Sequence, residues 1–118
     1  MNFTSNQEID TYFAHNFFTD LVGYVDNIES IVNIGPNNKK LYRIIMNNGS
    51  NRRVRVLFWD DHALIWHSEI TMNTVINITH AYASLINQVY VNPANGLAPI
   101  ELKITDKSRI ILGPIHPM

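Results

Sequence analysis

A chain of 118 residues, 46% hydrophobic and 16% charged, supports one compact core and is too short for two comfortable ones, so a single domain is expected. The absence of cysteine excludes disulfides, thiolate zinc sites and thiol catalysis, and a net charge of −1 argues against a chain that coats nucleic acid indiscriminately. No apolar run approaches the roughly 18 residues of a membrane span, and MNFTSNQEIDTYF lacks the basic start and apolar middle of a signal peptide, so a soluble, intracellular protein is expected.

Residues 1–17 carry no clear periodicity and read as an extension before the first strand. Asp20 to Ile34 alternates loosely, is rich in β-branched residues and runs into Gly35-Pro36-Asn37-Asn38, a strand followed by a turn. Leu41 to Met46 predicts a second strand, closed by Asn48-Gly49, a favoured hairpin dipeptide. The third, NRRVRVLFWDD, splits with period two into Val54, Val56 and Phe58 on one face and Arg53, Arg55, Leu57 and Trp59 on the other. Asp60-Asp61 then suits a helix N-terminus, and Ala63, Leu64, Ile65 and Trp66 behind it read as a short helix covering the core. Thr74 to His80 and Glu101 to Thr105 alternate as strands four and five, the latter with Leu102 and Ile104 inward and Lys103 outward. The connection from Ser84 to Pro99 is long enough to be either functional or disordered.

Charge is sorted by segment. Glu8, Asp10, Asp20, Asp26 and Glu29 precede residue 35 without a single lysine or arginine, whereas Lys39, Lys40, Arg43, Arg52, Arg53 and Arg55 follow without an acid. A hairpin of the second and third strands brings Arg43 beside Arg53, Arg55 and Trp59, and guanidinium groups next to an indole suit a polyanion that carries flat rings. Catalysis finds little support. The histidines His15, His62, His67, His80 and His116 are scattered, and His62 and His67, five apart, diverge by about 140° on a helix. No phosphate-cradling glycine loop, nucleophile elbow or dinucleotide fingerprint is present.

Three strands, a short helix and two strands is the order of an all-β, five-stranded Greek-key barrel, the OB fold that binds oligonucleotides and oligosaccharides. Asp20-Leu21-Val22-Gly23-Tyr24-Val25 in the first strand and Phe58-Trp59-Asp60-Asp61 closing the third resemble the single-stranded-DNA-binding OB domains of the replication protein A large subunit and its meiosis-specific paralogue, over roughly residues 18–112.

The resemblance implies that Trp59 stacks on a base, with Tyr82 or Tyr90 as the second stacking aromatic. It implies polar and phosphate contacts from Arg43, Arg53 and Arg55, and basic charge from Lys39 and Lys40, with Arg52 in the hairpin and Lys103 completing the candidate set. The expected function is a non-catalytic, cofactor-free single-stranded-DNA-binding module of a nuclear complex acting in replication, recombination, repair or telomere maintenance. Other subunits or OB domains are the expected partners, and RNA is an alternative ligand. The rival is an OB-type protein-interaction module, favoured by the near-zero charge and acidic N-terminal third. An oligosaccharide-binding module would use Trp59 but leave the arginines without a task.

Overall fold

The structure, a computed structural model, describes residues 2–86 and 95–117. In chain order the elements are α1 (Asn6–Asp10), β1 (Thr19–Ile34), β2 (Lys39–Asn47), β3 (Arg53–Trp59), α2 (Asp61–Trp66), β4 (Thr74–Leu85), β5 (Ile100–Lys103) and β6 (Arg109–Ile115). Neighbours in the sheet run β1-β2-β3-β5-β4-β6, and β1 also pairs with β4, so the first five strands close into a ring. All pairings are antiparallel except β3 with β5, where Val56 lies opposite Leu102 and Leu57 opposite Lys103. This is the five-stranded barrel with a short helix between β3 and β4.

The interior follows the period-two reading. Val54, Val56 and Phe58 are fully buried, together with Tyr42, Ile44 and Met46 of β2, Ile76 and Ile78 of β4 and Leu102 of β5. Closing the ring forces the 16-residue β1 to serve two partners, and it bends with register shifts between Val25 and Asn27 and between Glu29 and Val32. Gly23 lies against the main chain of β2: a Cβ there would lie 2.6 Å from the carbonyl oxygen of Asn47.

Several elements differ from expectation. β6 adds a sixth strand on β4, with Ile76 opposite Leu112 and Ile78 opposite Ile110. β4 runs five residues beyond His80, to Leu85, and β5 begins one residue early and ends at Lys103. In α2 only Ala63 and Trp66, three apart and so on one face, turn to the barrel, while Leu64 and Ile65 are 49% and 56% exposed. A helix of six residues offers the core a single narrow stripe, so the apolar cluster cannot all be covered.

Residues before β1 are built against the barrel. α1 starts with a capping box, Ser5 accepting from the Glu8 amide while the Glu8 carboxylate accepts from the Ser5 amide, and it places Ile9, 3% exposed, in the main core. The buried Asn48 side chain donates to the Thr4 carbonyl at 2.9 Å and to Asn6 Oδ1 at 2.8 Å, and its own Oδ1 accepts from the amides of Ser50 and Arg52. One asparagine thus shapes the β2–β3 hairpin and ties it to the N-terminal segment. Just before β1, the His15 amide donates to the Ala83 carbonyl at 2.7 Å and the Ala83 amide to the Asn16 carbonyl at 2.9 Å, extending the β1–β4 ladder toward the C-terminal end of β4.

Candidate nucleic-acid interface

The outward residues of β3 are Arg53, Arg55, Leu57 and Trp59, all half-buried, so Trp59 and Arg55 share one face of the sheet with the indole partly accessible. Register extends that face across the barrel wall. Glu29 lies opposite Arg43, Arg43 opposite Leu57, Leu57 opposite Lys103 and Lys103 opposite Tyr82, a row crossing β1, β2, β3, β5 and β4. Beside it a cleft of about 320 Å³ is lined by Lys39, Trp59, Asp60 and Lys103. Lys39 and Lys40 open β2 rather than lying in the loop before it; Lys39 is exposed, while the Lys40 ammonium donates to Asn33 Oδ1 at 3.0 Å. Asp60, whose φ of 50° and ψ of −115° fall outside the left-handed basin that aspartate tolerates, holds the β2–β3 end together in a strained conformation, accepting from the Lys40 amide and donating its own amide to the Lys40 carbonyl.

The arginines are engaged differently from the sequence expectation. Arg43 Nε lies 2.7 Å from Glu29 Oε2, Arg53 grips both oxygens of Asp26 at 2.8 and 2.9 Å, and Arg52 grips both of Asp10 at 2.7 and 2.8 Å. The acidic N-terminal third and the basic hairpin are therefore two halves of one set of ion pairs. Arg53–Asp26 is the best enclosed, with side-chain exposures of 22% and 17%, and the bidentate hydrogen bonding holds the Arg53 guanidinium above its ordinary range. Among the described residues Arg55 makes no ion pair within 4 Å, and its buried Nε has no hydrogen-bond partner. A larger cleft, about 580 Å³, lies at the hairpin end near Tyr24, Asn51, Arg53 and Gly96, but both arginines on its wall are already held by carboxylates.

Glu101, on β5 opposite Ser84, lies within the electrostatic reach of Arg55 and Arg43. Burial pushes its carboxyl above the usual range, and the positive charges of Arg55 and Arg43 only partly offset this. A carboxyl whose folded pKa lies above its unfolded value weakens the fold once the pH is high enough to charge it, and the penalty disappears as the pH falls through the folded value. Glu101→Gln should therefore raise the melting temperature at pH 7, and the gain over the wild type should shrink as the pH is lowered through the carboxylate range. Equal melting temperatures at pH 7 would contradict this account of Glu101.

Tyr82 falls within β4, facing outward, and its ring is covered by residues the sequence reading left out: Phe17 packs on it at 4.5 Å between ring centroids and His15 Nδ1 lies 2.6 Å from its hydroxyl. Tyr90, the other candidate for a second stacking residue, lies outside the described residues, as does most of the connection from Ser84 to Pro99. At its described end, Gly96 and Ala98 bond to the main chain of Arg53, fastening the approach to β5 beside β3. Among the described residues no group of three or more histidines or acids is placed to hold a metal ion, and no helix is long and apolar enough to cross a membrane. His62, next to the Asp60-Asp61 pair, contacts Asp106 at 3.0 Å.

This closed ring with its covering helix has the OB fold, and it is similar to solved OB domains from replication protein A. It superposes on a chain of a replication protein A heterotrimer bound to single-stranded DNA with a TM-score of 0.73 at 14% identity, covering 89% of this chain and 24% of that one. DNA-binding domain A of replication protein A from S. cerevisiae matches with a TM-score of 0.72 at 14% identity, over 94% of this chain and 96% of that one. An OB domain from Thermoplasma acidophilum matches with a TM-score of 0.59 at 14% identity, over 93% of this chain and 88% of that one. No protein-family model and no curated protein sequence matches the chain.

Proposed function

We propose that this domain is a non-catalytic module that binds single-stranded DNA across β2, β3 and β5, with Trp59 as base-stacking platform and Lys39, Lys103 and Arg55 as phosphate partners. The observation that carries the reading is the cleft lined by a partly accessible indole, two lysines and Asp60, on the same sheet face as Arg55, which no carboxylate holds among the described residues. A flat apolar ring flanked by cations recognises what every nucleotide shares, a base and a phosphate, with little regard to sequence. The fold neighbours support the ligand class, since one is described as bound to single-stranded DNA and another as a DNA-binding domain. The same reading puts the domain in replication, recombination or repair in the nucleus, alongside other subunits or OB domains of a larger assembly.

Tryptophan fluorescence titrated with oligo-dT of about ten nucleotides tests it. Quenching should saturate with a dissociation constant in the micromolar range, about −8 kcal/mol, as fits one small site. The slope of log affinity against log salt should be about −2, from three phosphate contacts at roughly −0.7 each for single strands. Absence of quenching up to tens of micromolar, with unmoved amide resonances from Arg53 to Asp60, would overturn the proposal.

A second reading rests on the ion pairs. With Arg43, Arg52 and Arg53 each held by an acid, and Leu64 and Ile65 exposed on α2, the domain also fits a protein-interaction module. That reading predicts no saturable oligonucleotide binding by the isolated domain.

A further inference from the structure

We propose that Phe17, in the segment leading into β1, is the second base-stacking platform of this face, with Tyr82 as its support; the proposal rests on the single-strand reading above and extends the path of the strand across β4.

The placement is continuous from one contact to the next. Trp59 shares its cleft with Lys103, Lys103 is paired in register with Tyr82, and the Tyr82 ring lies 4.5 Å from that of Phe17 at an interplanar angle of 46°. β3, β5 and β4 are adjacent strands and Trp59 lies two residues beyond Leu57, the register partner of Lys103, so Trp59 and Tyr82 stand about two strand spacings apart across the sheet and two residues apart along it, roughly 12 Å, with Lys103 on the strand between them. Aromatic, cation, aromatic is the order a single strand requires if a base stacks at each end and a phosphate passes over the middle.

Phe17 is also held in place. One exposed phenylalanine is ordinary, but this one, 58% exposed, follows two residues that bond to the main chain of β4 and precedes one whose amide donates to Asn16 Oδ1 at 3.0 Å. The Tyr82 beneath it is fixed in turn by its hydroxyl contact with His15. A ring presented at the surface by an anchored backbone, over a second ring that cannot turn away, loses little conformational freedom when a base settles on it.

The experiment uses the full 118-residue chain and labelled oligo-dT of about ten nucleotides, with binding read by anisotropy and by Trp59 quenching. Phe17→Ala should weaken binding about 5- to 150-fold, the range that loss of one stacking aromatic produces, with the salt slope unchanged. Phe17→Leu keeps an apolar cover on Tyr82 but has no π face, so it should lose nearly as much. Wild-type affinity in both variants, or in Phe17→Leu alone, would overturn the role of Phe17, and if Trp59→Ala still weakened binding the single-strand reading would stand without it. No binding by the wild-type chain would remove that reading and this inference together.

Discussion

Trp59→Ala should weaken binding of single-stranded oligonucleotides by about 1–3 kcal/mol, or roughly 5- to 150-fold, and by similar amounts for oligo-dT and mixed sequences. Trp59 is half-buried on the outer face, not one of the core residues, so its removal takes away a platform rather than a packing element. The variant should retain the wild-type melting temperature to within a few degrees, which separates lost contact from lost fold. Because the reporter indole is deleted, anisotropy of a labelled oligonucleotide is the measurement. An affinity within two-fold of wild type would mean that the indole is not where bases stack, whatever else the domain binds.

Gly23→Ala should destabilise the fold by about 1–3 kcal/mol, the range expected for an atom forced into a closed site. The new Cβ would meet the Asn47 backbone oxygen at 2.6 Å and its carbonyl carbon at 3.3 Å, and neither can rotate aside. Nor is Asn47 free to retreat: its side chain donates to Asp26 at 3.0 Å and accepts from the Gly49 amide at 2.7 Å. The methyl would therefore push β1 from β2 at the position where β1 turns to meet β4. Gly35→Ala makes the contrast, since nothing lies within 4 Å of its added methyl and only its φ of 73° resists the change. Denaturant titration of both variants gives the two costs, and a Gly23→Ala protein as stable as wild type would show that the strands can part there without penalty.

Local alternation made β3 readable in advance, because seven residues with a strict inward and outward pattern admit only one register toward a core. β6 was hidden by its composition. Arg109 to Ile115 contains Gly113-Pro114, which reads as a turn, and a proline is accepted there because β6 pairs on one side with β4 and, among the described residues, has no second ladder to feed. The sequence did contain a signal for α1, the Ser5 to Glu8 capping spacing, but five residues are too few to show a helical period. Sorting of charge into an acidic and a basic block was plain, whereas its outcome depended on tertiary register: Glu29 faces Arg43 only because β1 and β2 pair as they do, and Asp26 reaches Arg53 across the intervening strand at a bulge. Phe17 escaped notice for the same reason, since nothing near it in sequence announces that Tyr82, sixty-five positions on, lies beneath.

Among the described residues β4 is the one strand of the barrel with three ladder partners. On one side it is laced to β1 and then to His15 and Asn16; on the other, to β6 over its first half and to β5 over its second. Each of those partners is hydrogen-bonded to the same strand, so the lead-in that carries Phe17 and the β5 segment that carries Lys103 are both referred to β4. The spacing between the two is thus set by β4 and not by either neighbour alone.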